Sequence, residues 1–206
     1  MISVIMPSYL GEYKKAAKDR DKKIVRAIQS VFNQTYEDWE LIIIADGCEK
    51  TVDIILEIND IYNDERLKVF KIPKQPIWSG NVRNAGLEEA KGEYACYLDN
   101  DDAFAPNHLK SIVKEMAKIP GKDWYWFDDY GWNGKEFRHT KRNINKVGQC
   151  GTSNLMHRPG LAQWDEKGNY AHDWRFITNL KRASSSYEYL RAGEYLICHV
   201  PGKFDI

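Results

Sequence analysis

Four short apolar runs punctuate the first half of the chain: residues 2–6 (ISVIM), 40–45 (ELIIIA), 67–72 (LKVFKI) and 93–98 (EYACYL). Each has the length and β-branched or aromatic content of a strand. The unbroken aliphatic run from Leu41 to Ala45 suits a parallel strand covered on both faces. Between the runs, apolar positions recur at helical spacing. Ile24, Val25, Ala27, Ile28, Val31 and Phe32 form one stripe, and Val52, Ile55, Leu56 and Ile58 form a second within residues 51–62. Residues 80–91 read as a helix despite Gly86, and residues 107–118 as another, with Pro106 at its first position. Pro7 is expected to end the first strand, since it cannot donate to a ladder. Asp46-Gly47 and Asp99 to Asp102 close the second and fourth strands.

This strand–helix alternation predicts an α/β fold with a mostly parallel sheet and helices on both faces. The second half is less regular. Residues 124–127 (WYWF) read as a strand, with 136–139 as a pairing partner and Asp128-Asp129 as a turn. Residues 147–160 read as loop, His172 to Arg182 as helix, 185–191 as a short helix and 195–200 as a last strand. No repeat, low-complexity tract or linker interrupts the 206 residues, which suit one compact unit.

Charge and composition narrow the functional classes. Thirty basic residues balance thirty acidic ones, which argues against a general nucleic-acid binder. No apolar run approaches the roughly 20 residues of a membrane span, and the N-terminus lacks the features of a secretion signal. A cytoplasmic protein is expected, with peripheral contact to the cytoplasmic face of a membrane left open. Cys48, Cys96, Cys150 and Cys198 fit no metal-binding spacing and are expected as free thiols. Dinucleotide, P-loop, nucleophile-elbow and zinc-protease motifs are all absent from the sequence.

In open α/β sheets, ligands lie beyond the carboxyl ends of the strands. Three polar groups fall at such ends: Pro7-Ser8-Tyr9, Asp46-Gly47 and Asp99-Asn100-Asp101-Asp102. Carboxylates this close repel one another unless a cation or ligand compensates, and oxygen donors suit Mg²⁺ or Mn²⁺. The competing explanation is a solvated acidic turn capping the next helix. Arg83 is either a surface charge or a partner for phosphate or aspartate. Asp173 is either a first-turn charge matched to a helix dipole or a general base. His199 is either a strand residue or a metal ligand. The tryptophans are core by default, although aromatic planes also stack on sugars.

The segments SVIMPSY (3–9), AIQSVFNQTYEDWELIIIADG (27–47), SGNVRNAGLEEAKGEYACYLDNDD (79–102) and YAHDW (170–174) together resemble family 2 glycosyltransferases of the GT-A fold. The resemblance is close over about the first 118 residues and thins afterwards. It implies a Rossmann-like α/β/α sandwich with a nucleotide-sugar half (1–118) and a smaller acceptor half (119–206). It further implies that Pro7, Ser8 and Tyr9 pack on base and ribose, that Asp46 meets the uracil edge, and that Arg83 lies beside base and diphosphate. Asp99-Asn100-Asp101 is similar to the family's DxD motif, with Asp99 near the ribose, Asp101 on Mn²⁺ or Mg²⁺, and Asp102 extending the cluster. Asp173 matches the catalytic base, and His199 a late metal ligand.

The sequence departs from the family pattern at Ala45 and Cys48, at His172 in place of a glutamate, and in the charged stretch Glu12 to Lys23. The implied activity is inverting transfer of a sugar, from a UDP-sugar by preference, to a carbohydrate or glycoconjugate hydroxyl. The acceptor surface is expected around 124–132 and 150–158. The rivals are a sugar-1-phosphate nucleotidyltransferase, which wants a glycine-rich basic loop where PSYLGEYKK stands, and a glycosyltransferase-like domain without catalysis.

Overall fold

A computed structural model describes residues 1–13, 18–76, 80–132, 135–166, 171–191 and 196–198. The first half alternates β1 (Ile2–Ser8), α1 (Arg20–Phe32), β2 (Trp39–Asp46), α2 (Glu49–Tyr62), β3 (Leu67–Ile72), α3 (Asn81–Glu89) and β4 (Tyr94–Tyr97). Then follow β5 (Ala103–Phe104), α4 (His108–Met116), β6 (Trp124–Phe127), β7 (Asp129–Trp132), β8 (Phe137–Thr140), a 3-10 turn at Thr152–Asn154, β9 (Leu155–His157), α5 (His172–Ala183), β10 (Tyr187–Leu190) and β11 (Leu196–Cys198). Seven strands form the main sheet in the order β10-β6-β9-β4-β1-β2-β3. β9 runs antiparallel to both of its neighbours, while the other pairings are parallel. A smaller sheet has the order β5-β11-β7-β8.

Period-two alternation in β2 sends Leu41 and Ile43 to one face and Ile42 and Ile44 to the other. The first pair joins a core with Ile24 and Ile28 of α1, Ile55 of α2 and Leu109 of α4. The second pair packs with Val82 of α3. Ile5, Leu87 of α3 and Phe176 of α5 build a third cluster on that side. Helices therefore cover both faces, which is why β2 carries no polar face. Gly86 is explained by this packing. A Cβ there would stand 2.5 Å from Ile5 Cγ2, so glycine lets α3 close on β1.

Several local expectations are corrected. Pro7 does not end β1, because Pro7 and Ser8 still pair with Ile44 and Ala45. The Ile5 carbonyl accepts from Leu98 N–H, so odd positions of β1 face β4, whose pairing stops at Ile5–Tyr97. The donor that Pro7 lacks falls where β4 has already departed. Pro106 sits one residue before the α4 N-cap, Asn107, rather than inside the helix. Leu56 is 51% exposed, and Thr51 rather than Leu56 joins Ile55 and Ile58 on the buried face of α2.

Residues 137–140 pair with β7, not with Trp124–Phe127. The stretch 187–190 is a strand beside β6, not a helix, and β9 lies within the expected loop 147–160. Asp128-Asp129 is not the expected turn. Both carboxylates are buried, and Asp129 opens β7.

Candidate functional site

The carboxyl ends of β1, β2 and β4 meet in a crevice of about 160 Å³ whose lining includes Pro7, Ser8, Tyr9, Asp46, Arg83 and Asn100, with Lys74 and Val82 beside them. β1 delivers the Ser8 hydroxyl, which lies 3.1 Å from the Thr51 hydroxyl. Asn100 Nδ2 donates to Ser8 Oγ at 3.0 Å and so ties the β4 loop to the β1 end. Arg20 holds the chain beyond β1, donating to the Tyr9 and Gly11 carbonyls at 2.8 and 2.7 Å. That buried arginine comes from the charged stretch which the sequence left unassigned.

Asp46 is buried at the end of β2. Its carboxylate accepts from Lys74 Nζ at 2.7 Å and from Gln75 N–H at 2.6 Å. The Lys74 ammonium also stands 4.3 Å from the centre of the Tyr9 ring, a favourable cation–π placement. Gly47 makes this closure possible. Its φ is +62°, and a Cβ would meet the Lys74 backbone at 2.8 Å.

Arg83 projects from α3 and is 8% exposed. Its Nη2 donates to Asp99 Oδ1 at 3.2 Å, its guanidinium lies 5.0 Å from the Trp164 ring centre, and its Nε has no hydrogen-bond partner among the described residues. A buried guanidinium with an unmet donor is costly unless something arrives to accept from it.

Asp99 to Asp102 form a turn closed by Asp102 N–H donating to the Asp99 carbonyl at 3.1 Å. Asp102 points inward and is buried, while the Asp101 carbonyl accepts from Arg26 Nη2 at 2.6 Å. Protein packed around Asp99 raises its carboxyl pKa above the ordinary range. Arg83 opposes that, and the charges of Asp101 and Asp173 add to it. The Asp99 side chain keeps 41% of its surface open to solvent, which moderates the shift.

Asp173 lies in the first turn of α5. It accepts from the Thr152 hydroxyl in a short hydrogen bond and from His172 Nε2 at 2.9 Å. Burial pushes its pKa up, but His172, Thr152 and the Arg83 charge together bring it below the usual carboxylate range. The group is therefore an ionised carboxylate at neutral pH. Asp99, Asp101, Asp173 and Arg83 thus share one electrostatic neighbourhood.

The sequence model described as Glycosyl transferase family 2 matches residues 3–181. The chain belongs to glycosyl transferase family 2. An uncharacterized glycosyltransferase of Haemophilus influenzae is 38% identical over 119 residues, which are 57% of this chain and 43% of that protein. The Escherichia coli UDP-Glc:alpha-D-GlcNAc-diphosphoundecaprenol beta-1,3-glucosyltransferase WfgD is 31% identical over 119 residues, 57% of this chain and 42% of its own.

Among solved structures, S. aureus TarS 1–349 in complex with UDP superposes with a TM-score of 0.76 at 20% identity, covering 97% of this chain and 60% of that one. The mannosyltransferase PcManGT from Pyrobaculum calidifontis, in complex with GDP-Man and Mn²⁺, gives 0.68 at 13% identity, covering 97% and 57%. These likenesses establish the GT-A fold. The family 2 chain spans less than half the length of both relatives and about 60% of these neighbours.

Of the predicted site residues, Pro7, Ser8, Tyr9, Asp46, Arg83, Asp99, Asn100, Asp101 and Asp173 gather along the carboxyl edge of the sheet in this family 2 fold. His199 lies outside the described residues. Sequence reasoning missed Thr152, Lys74 and Trp164. Trp164 stacks on Phe176 at 3.9 Å, donates from Nε1 to the Tyr97 hydroxyl at 2.8 Å, and exchanges two hydrogen bonds with Asn84. The only hint of these in the sequence was polarity or aromaticity inside loops, which occurs widely.

Asp99 and Asp101 offer two hard oxygen donors, and no group of three or more possible protein ligands exists among the described residues. Mg²⁺- and Mn²⁺-type sites commonly use one or two carboxylates together with substrate phosphates. The mutual repulsion that helps raise Asp99 is what a cation would relieve, so these residues fit such an ion. No helix among the described residues is long and apolar enough to cross a membrane.

Proposed function

We propose that the chain carries the catalytic site of an inverting glycosyltransferase that takes a nucleotide-diphospho-sugar, a UDP-sugar by preference, and transfers the sugar to a hydroxyl of a carbohydrate or glycoconjugate. One observation supports this reading: the buried Arg83, with an unmet Nε donor, is bonded to Asp99 and within charge range of the ionised Asp173. A cation accounts for the diphosphate subsite and a carboxylate base for the acceptor side. The UDP in the TarS complex supports the uridine preference.

Pro7, Ser8 and Tyr9 would hold the base and ribose, with Asp46 at the base edge and Asp99 and Asn100 beside the ribose. Asp101, and in the family pattern His199, would hold Mn²⁺ or Mg²⁺. When bound, that ion supplies Lewis-acid neutralisation of the departing diphosphate. Arg83 donates to diphosphate oxygens as charge builds there. Asp173, held by Thr152 and His172, accepts the proton of the acceptor hydroxyl. That oxygen bonds to the anomeric carbon from the face opposite the diphosphate, which leaves with its bonding electron pair, and configuration inverts.

Calorimetric titration with UDP, GDP and CDP, with and without Mn²⁺, tests the donor site. Metal-dependent UDP binding in the micromolar range is the expected result. Absence of binding by all three nucleotides in folded protein would overturn it.

A further inference from the structure

A second cavity opens farther along the same edge of the sheet, lined by Trp126, Tyr189, Asp128, His139 and the basic side chains Lys141, Arg142 and Arg191. The register fixes its place. Leu190 pairs with Phe127, so Asp128 and Arg191 leave their parallel strands side by side. β9 aligns Cys96 with Met156 and Met156 with Tyr125. β4 and β6 therefore run parallel on either side of β9, so Asp99, two residues beyond β4, and Asp128, one residue beyond β6, leave the sheet at the same edge. Thr152, which donates to Asp173, lies in the 3-10 turn that leads into β9, the strand between β4 and β6.

Charge coupling gives the same order. Burial raises the Cys150 thiol pKa to about 12, with Arg142 opposing and Asp173, Asp129 and Asp128 adding to the shift. The thiol therefore lies within reach of both the base and the second cavity.

The chemistry of the cavity is specific. Trp126 and Tyr189, ring centres 5.6 Å apart, make a half-buried aromatic wall. Asp128 is fully engaged. It accepts from Arg142 N–H at 2.8 Å and the Tyr189 hydroxyl at 2.6 Å, and contacts His139 Nε2 at 2.9 Å. Asp129 lies behind and is paired with Arg142 through Nε and Nη2 at 2.9 and 2.5 Å. Lys141 and Arg191 are exposed, and neither has a carboxylate partner among the described residues. An aromatic face bordered by two unneutralised cations suits a sugar ring bearing negative charge.

We propose that this cavity receives the acceptor and selects a saccharide that carries an anionic substituent, a carboxylate or a phosphate, held by Lys141 and Arg191. The inference rests on the glycosyl-transfer reading of the crevice, with Asp173 lying between donor and acceptor. Its test is titration of glucose, glucuronate and glucose 1-phosphate into the full chain saturated with UDP and Mg²⁺, followed by chemical shifts or calorimetry. At least one anionic sugar should bind about tenfold or more tightly than glucose. The advantage should shrink at high salt and disappear in the Lys141→Gln/Arg191→Gln variant, whose UDP affinity stays within about twofold of the parent's. Preference for glucuronate identifies a carboxylate, and preference for glucose 1-phosphate a phosphate.

Equal binding of glucose and both anions, no binding of either anion, or anion binding untouched by the double substitution would each overturn the proposal. The UDP titration on the same sample reports separately on the donor site. Its failure would remove the donor reading and still leave the cavity's preference measurable through the double variant.

Discussion

Asp173 and Arg83 make opposite kinds of prediction. Asp173 touches Thr152 and His172 and keeps its charge at neutral pH. Asp173→Asn preserves shape and removes the carboxylate proposed to accept the proton. Transfer should fall by about 10²- to 10⁴-fold, while UDP affinity stays within about twofold. Equal loss of both would reassign the residue. Arg83→Lys keeps the charge and loses the fork that reaches Asp99. It should weaken UDP binding in a calorimetric titration, whereas unchanged affinity would place the nucleotide elsewhere. Both residues were visible in the sequence because SGNVRNAG and YAHDW are short motifs with a fixed order. Thr152 was not, because a threonine between Gly151 and Ser153 gains its meaning only when α5 is laid beside it.

Helices and strands of the first half were readable because each buries a face whose period shows in the sequence. The exceptions mark where neighbours decide. Gly86→Ala would improve helix propensity by about 1 kcal/mol, but the added methyl must displace fully buried Ile5. Overpacking costs about 1–3 kcal/mol, so urea unfolding should show net destabilisation. An equal or higher midpoint would mean that α3 can lift off β1 at no cost. On α2, Ile55→Ala should cost about 2–5 kcal/mol and Leu56→Ser less than about 0.5, the reverse of what the apolar stripe alone suggests for Leu56. Residues 187–190 (YEYL) suit either helix or strand by pattern. Their ladder to β6, with Tyr187 stacked 4.4 Å from Trp124, selects the strand.

Two histidines inside the whole fold set its response to acid. His108 is stacked on Phe104, and neither of its ring nitrogens has a hydrogen-bond partner among the described residues; burial pushes its pKa down to about 3. His157 contacts the Arg158 carbonyl and the Tyr97 hydroxyl, and burial lowers it to about 4. Unfolded, each takes a proton near pH 6.5. The unfolded state therefore binds more protons below that pH, and stability falls as pH drops from about 6.5 toward 4, by up to about 1.4 kcal/mol per pH unit for each ring. Asp173, with its lowered pKa, adds to the loss at lower pH, while Asp99, with its raised one, opposes it. Urea titrations across this range should show the slope, and His108→Phe should remove about half of it. An unchanged slope would place the proton uptake elsewhere.

The amino-acid order alone was enough for the α/β alternation, the parallel sheet and the acids at its strand ends, because burial periodicity and short-range motifs are local properties of a chain. The antiparallel β9, the small sheet that takes β8 away from β6, and the cavity that gathers Trp126, Lys141 and Arg191 required the folded molecule. Those contacts join residues dozens of positions apart, and long-range pairing leaves no period in the sequence to read.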